Sequence, residues 1–165
     1  MIDFKNVTKR YGSTTAIDDL SLKITDKGIY CLLGRNGAGK TTLMELLAGH
    51  IPATKGEIIV DGKAVSTGHM PENVNFIENG STQFNMKVSE LIDTAAKLQD
   101  DFDRDSALKM TKRFELDMNK KYKRLSFGMK TMLTTIMTLS NKSNVILLDE
   151  PTLGFDAIMR WQFIH

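Results

Sequence analysis

The sequence predicts an α/β fold: a mostly parallel sheet, an antiparallel β region at the N-terminus and a helical insertion. Three observations carry this. Ile29-Tyr30-Cys31-Leu32-Leu33 is continuously apolar, as expected of a strand covered on both faces, and it leads straight into the glycine-rich stretch Gly34 to Gly39. A second such run, Val145-Ile146-Leu147-Leu148, ends in the acids Asp149 and Glu150. Between them, from Val88 onward, apolar residues recur at helical spacing. The 165 residues are 41% hydrophobic and 25% charged, with 12 Gly and 3 Pro, which suits one globular core rather than disorder or two full-sized domains.

In chain order, Ile2, Phe4 and Val7 alternate with polar residues, and so do Leu20, Leu22 and Ile24; both stretches read as half-exposed antiparallel strands. Beyond the glycine-rich stretch, Leu43, Leu46 and Leu47 mark a helix that Gly49 and Pro52 stop. Glu57 to Val60 reads as a strand closed by the hairpin signal Asp61-Gly62, and Val74 to Ile77 as a further short strand. Val88, Leu91, Ile92, Ala95 and Leu98 share one helical face. Leu108 to Phe114 and Met129 to Leu139 suggest two more helices, so residues 80–140 read as a helical insertion. Cys31, the one cysteine, falls inside an apolar run and is expected to be a buried thiol. No apolar run approaches the roughly 18 residues of a membrane span, and the N-terminus lacks the pattern of a secretory signal. A net charge of +2 argues against a dedicated nucleic-acid binder, so any anion must be held locally.

Gly34-Arg35-Asn36-Gly37-Ala38-Gly39-Lys40-Thr41 matches the phosphate-loop pattern and sits where that motif must, between a predicted strand and a helix. Glycines let successive backbone N–H groups turn inward as an anion nest, and the following helix adds its positive N-terminal dipole. Lys40 would reach the terminal phosphates of a triphosphate, and the Thr41 hydroxyl would ligate magnesium. At the end of the second predicted buried strand, Asp149 is placed to anchor that metal and Glu150 to act as base on the attacking water.

With these motifs in hand, the chain resembles the ATPase subunit of ATP-binding cassette transporters from about residue 2 to residue 160. Leu125-Ser126-Phe127-Gly128-Met129 looks like the signature segment of that family, opening a helix ahead of the acids. Ser126 is also a good helix N-cap, so a second anion site is chemically reasonable there. The resemblance implies a P-loop NTPase core whose two half-sites, phosphate loop and signature helix, meet only between two molecules arranged head to tail around ATP. It implies nucleotide contacts from Gly34, Arg35, Asn36, Gly37, Ala38, Gly39, Lys40, Thr41 and Thr42, and an adenine-stacking role for Tyr11. It implies Glu150, Lys40, Ser126, Gly128 and the interface residue Asp156 as the catalytic set, with Thr41, Asp149 and Asn79 at magnesium.

Three departures qualify the resemblance. The first glycine of the signature is Phe127, and the usual magnesium-contacting glutamine is replaced by Asn79, with Gln83 later in the same loop. The family's switch histidine lies beyond the acids, and His50, His69 and His165 do not fill that place. The strand that carries it belongs between the phosphate-loop strand and the strand ending at Leu148. An empty slot there would leave two rows of backbone groups without partners, each costing on the order of 1–3 kcal/mol. The chain is therefore expected to be a portion of a longer ATPase, lacking the C-terminal part of the family fold and inactive alone.

The function expected from the resemblance is ATP hydrolysis driving export. Its expected partners are separate integral membrane transporter subunits and a second ATPase subunit, in a homo- or heterodimer at the cytoplasmic face of the membrane. Two alternatives stay open: a soluble relative acting on nucleic acid or the ribosome, and a weakly hydrolysing regulatory subunit.

Overall fold

A computed structural model describes residues 1–67, 71, 73–76 and 84–164. The chain divides into two compact units, Met1–Val74 and Asn75–His165. The first is built on a hairpin of β1 (Ile2–Tyr11) and β2 (Thr14–Ile24), joined by β3 (Lys55–Val60) and β4 (Lys63–Ala64) in the antiparallel order β2-β1-β3-β4. Alternation explains the pairing, since Ile2 lies opposite Val60 and Phe4 opposite Ile58, and all four are buried. Strand β1 runs further than its alternating residues suggest. Register shifts around Val7 let three successive residues, Val7, Thr8 and Lys9, all be buried, which a regular pleat forbids. Asp61 and Gly62, both with positive φ (49° and 82°), make the predicted hairpin turn between β3 and β4.

Helix α1 (Lys40–Leu47) buries Met44, Leu46 and Leu47 and contacts β2. It ends as predicted, with Gly49 at φ 73° and the N–H of His50 donating to the Glu45 carbonyl at 2.9 Å.

The run Ile29–Leu33 departs from expectation: it forms no strand, and Ile29 and Leu33 are almost wholly exposed. Cys31 is exposed rather than buried for the same reason. A two-face-buried strand is stable only between neighbours, and among the described residues no strand pairs with this segment.

In the second unit, β6 (Val145–Leu147) pairs with β5 (Val74–Phe76), whose last two residues open that unit. The α/β class holds, but the parallel part is this small sheet, and Ile146 stays 37% exposed on it rather than covered on both faces. Helices α2 (Val88–Leu98), α3 (Arg104–Arg113), α4 (Phe127–Leu139) and α5 (Ala157–Ile164) surround a core of Val88, Ile92, Met132, Leu133, Ile136 and their neighbours. α3 starts four residues before the predicted Leu108 because Asp103 caps it, accepting from the Ser106 N–H at 2.9 Å. Leu98 falls off the predicted apolar face and is 79% exposed, because α2 ends there and Gln99 turns into extended backbone. α4 keeps buried threonines by bonding them back one turn: Thr131 donates to the Phe127 carbonyl at 3.2 Å, Thr135 to Thr131 at 2.9 Å and Thr138 to Thr134 at 2.9 Å.

Candidate functional site

The phosphate-loop residues lie in the first unit, on an open turn that ends in α1. Gly34 to Ala38 are exposed, while Gly39 and Lys40 are half-buried. Gly37 and Gly39 adopt φ 82° and 84°, which side-chain-bearing residues rarely tolerate. The two serve different ends. A Cβ on Gly37 would meet nothing within 4 Å, whereas one on Gly39 would fall 2.6 Å from the Ala16 carbonyl oxygen. Gly37 is thus needed for its left-handed backbone alone, and Gly39 also for its close approach to β2. The Lys40 ammonium folds back across the turn and donates to the carbonyls of Gly34 and Arg35, each at 3.0 Å. Gly39, the N-cap of α1, offers no side-chain cap, so the first-turn amides of that helix gain no side-chain partner from it. An anion would meet an ammonium and backbone donors together. Thr41 is exposed and Thr42 half-buried in the first turn.

Tyr11 ends β1, opposite Thr14 and beside the Gly12 turn, with 48% of its surface exposed. Lys9 pairs with Ile17, and the Ile17 side chain flanks Gly39, so the Tyr11 end of the hairpin is the end that meets the phosphate loop. The sequence reading passed over Lys9. Its side chain is 8% exposed, donates to the Pro52 carbonyl at 2.7 Å and lies 4.9 Å from the Tyr11 ring centroid. Spacing alone gave no dependable signal, because the pairing of β1 with β2 shifts register between Lys9 and Arg10.

The remaining predicted residues lie in the second unit. Asp149 is half-buried, and Glu150 is exposed at φ 45°, a strained setting for a non-glycine residue immediately before a proline. Ser126 is the N-cap of α4, as expected, and accepts from the Met129 N–H at 3.3 Å. Asp156 caps α5, accepting from the Met159 N–H at 2.8 Å. The structure brings the signature segment against the loop that follows the acids: a Cβ on Gly128 would sit 2.3 Å from the Gly154 carbonyl oxygen. Thr135 of α4 also reaches the Pro151 carbonyl at 3.4 Å. This contact left no mark at the level of single motifs. Asn79, like Gln83, lies outside the described residues.

Thr41 and Asp149 supply a hydroxyl and a carboxylate, the hard oxygen donors that magnesium prefers. Among the described residues, no group of three or more His, Cys, Asp or Glu side chains is arranged to hold a metal alone. Also among the described residues, no helix is long and apolar enough to cross a membrane.

Comparison with known proteins defines the class. The family model described as ABC transporter matches residues 17–153, and the chain belongs to that family. It is 32% identical over 162 residues to the ABC transporter ATP-binding protein YtrB of Bacillus subtilis, covering 97% of this chain and 56% of YtrB. Similarity to the lantibiotic transport ATP-binding protein SrtF of Streptococcus pyogenes is 32% over 166 residues, covering 96% of this chain and 69% of SrtF. To the zinc import ATP-binding protein ZnuC of Rickettsia bellii it is 30% over 165 residues, covering 99% and 67%. The chain thus spans little more than half the length of YtrB and about two thirds of the other two. Among solved structures, the dimeric ATP-binding cassette MJ0796, bound to ADP and Pi, superposes with a TM-score of 0.79 at 21% identity, covering 99% of this chain and 80% of that one. At that identity the likeness establishes the fold.

Proposed function

We propose that this chain is the ATP-binding and ATP-hydrolysing part of a transporter subunit that dimerises head to tail around nucleotide. In this reading it drives export through separate integral membrane subunits at the cytoplasmic face of the membrane. Residues 1–165 belong to one ATPase domain, with residues 80–140 as its helical subdomain. The observation that carries the reading is the open turn at Gly37, with the Lys40 ammonium poised on the Gly34 and Arg35 carbonyls and free to exchange them for phosphate oxygens.

Tyr11 stacks on adenine, and the amides of residues 34–42 hold the phosphates. Thr41, Asp149 and Asn79 would hold magnesium, which would supply positive charge against the phosphates. Glu150 orients the attacking water and takes its proton. Ser126 and Gly128 present the α4 N-terminus to the phosphates of nucleotide bound on the second subunit, and Asp156 helps orient that opposite site.

The experiment is Glu150→Gln in the intact protein with its membrane partner. ATP binding and nucleotide-driven dimerisation persist, while phosphate release falls by about two to four orders of magnitude. Unchanged turnover overturns the assignment of the base. Co-purification from membranes should recover an integral protein, and recovery of ribosomes or DNA would favour a soluble relative. The similarity to ZnuC, named for import, supports a second reading of direction, which transport into inverted vesicles decides.

A further inference from the structure

The geometry points to Lys9 as a positioning residue for the nucleobase: a buried cation set on one face of the Tyr11 ring, fixing and polarising that ring so that its other face receives adenine. The inference rests on the proposed stacking role of Tyr11.

Lysine ammonium groups ordinarily reach solvent along their flexible stems, because burying an unpartnered charge is costly. Lys9 does not, being only 8% exposed. Its ammonium is held between two acceptors of different kinds, the Pro52 carbonyl at 2.7 Å and the Tyr11 π-face at 4.9 Å. The Pro52 segment is itself braced to β1, since the Thr54 N–H donates to the Thr8 carbonyl at 2.8 Å and the Arg10 N–H to the Thr54 hydroxyl at 3.0 Å. The cation is therefore seated between the Pro52 carbonyl and one face of a ring that is itself 48% exposed.

Two consequences follow for a base on the opposite face. A ring with a cation seated on one face loses less freedom when a base stacks on the other. A cation below also draws π density downward, so the upper face becomes a better partner for an electron-rich purine. Because Ile17, the strand partner of Lys9, flanks Gly39, the same framework fixes the ring's position relative to the phosphate loop.

Isothermal calorimetry on the intact protein with ATP and with inorganic tripolyphosphate tests this. Lys9→Met keeps the apolar stem and removes the charge. ATP affinity should fall about 3- to 10-fold, tripolyphosphate affinity should be unchanged, and Lys9→Arg should restore ATP binding. In a Tyr11→Ala background, Lys9→Met should cause no further loss. Unchanged ATP affinity in Lys9→Met, or equal losses for both probes, overturns the inference. If Lys9→Met does not fold, Lys9→Gln carries the same comparison. Should Tyr11→Ala itself bind ATP normally, the stacking reading falls and this inference with it. A Tyr11→Ala loss without a Lys9→Met loss removes Lys9 alone.

Discussion

The ring of Phe127 lies against Gly154, so closely that a methyl group built on that glycine would stand 2.4 Å from Cδ1 of the ring. Gly154 also adopts φ 77°, so it is constrained twice, by backbone conformation and by the ring. The bulky residue in the signature segment is thus accommodated by the absence of a side chain in the loop before α5.

Gly154→Ala is expected to destabilise the fold by about 2–4 kcal/mol, the sum of left-handed strain and overpacking. In a Phe127→Ala background the overpacking part disappears and about 1–2 kcal/mol remains. Denaturant midpoints of the four proteins in this cycle measure the coupling, and additive effects would show that the ring does not press on residue 154.

Lys40→Ala removes the ammonium that bridges the Gly34 and Arg35 carbonyls. The side chain is half-exposed, so stability should change by less than about 1 kcal/mol. ATP affinity should fall at least about tenfold, because a charge-assisted contact to phosphate is lost. Calorimetric titration separates the two effects, and wild-type affinity would remove the phosphate-loop assignment.

Burial raises the Tyr122 phenol above its ordinary pKa of 10.0, opposed in part by its hydrogen bond with Thr134. With the folded value above the unfolded one, the phenol's contribution is intact below about pH 10 and declines as pH rises beyond it, since the unfolded chain ionises first. The unfolding free energy of wild type minus that of Tyr122→Phe should therefore fall as pH rises above about 10. A difference that stays constant across that range would show the phenol to be unaffected by burial.

Local chemistry was legible in the sequence wherever one element sufficed. The Asp61-Gly62 turn, the Ser126 cap and the α1 start behind Gly39 all follow from backbone demands that a few adjacent residues meet. Neighbour-dependent features were not. Ile29–Leu33 has the composition of a doubly covered strand, but composition cannot supply the flanking strands that make one. The site divides the same way. Glycine spacing revealed the loop, while the seat of Gly39 on Ala16 and the meeting of Gly128 with Gly154 join residues 23 and 26 positions apart, beyond the reach of any periodicity.

The bare apolar ribbon at Ile29–Leu33 has a practical consequence for anyone handling this polypeptide. Its exposed apolar side chains shed water when they meet another apolar surface, which favours association. Solutions of these residues alone should associate more as they are concentrated, an effect that light scattering would register.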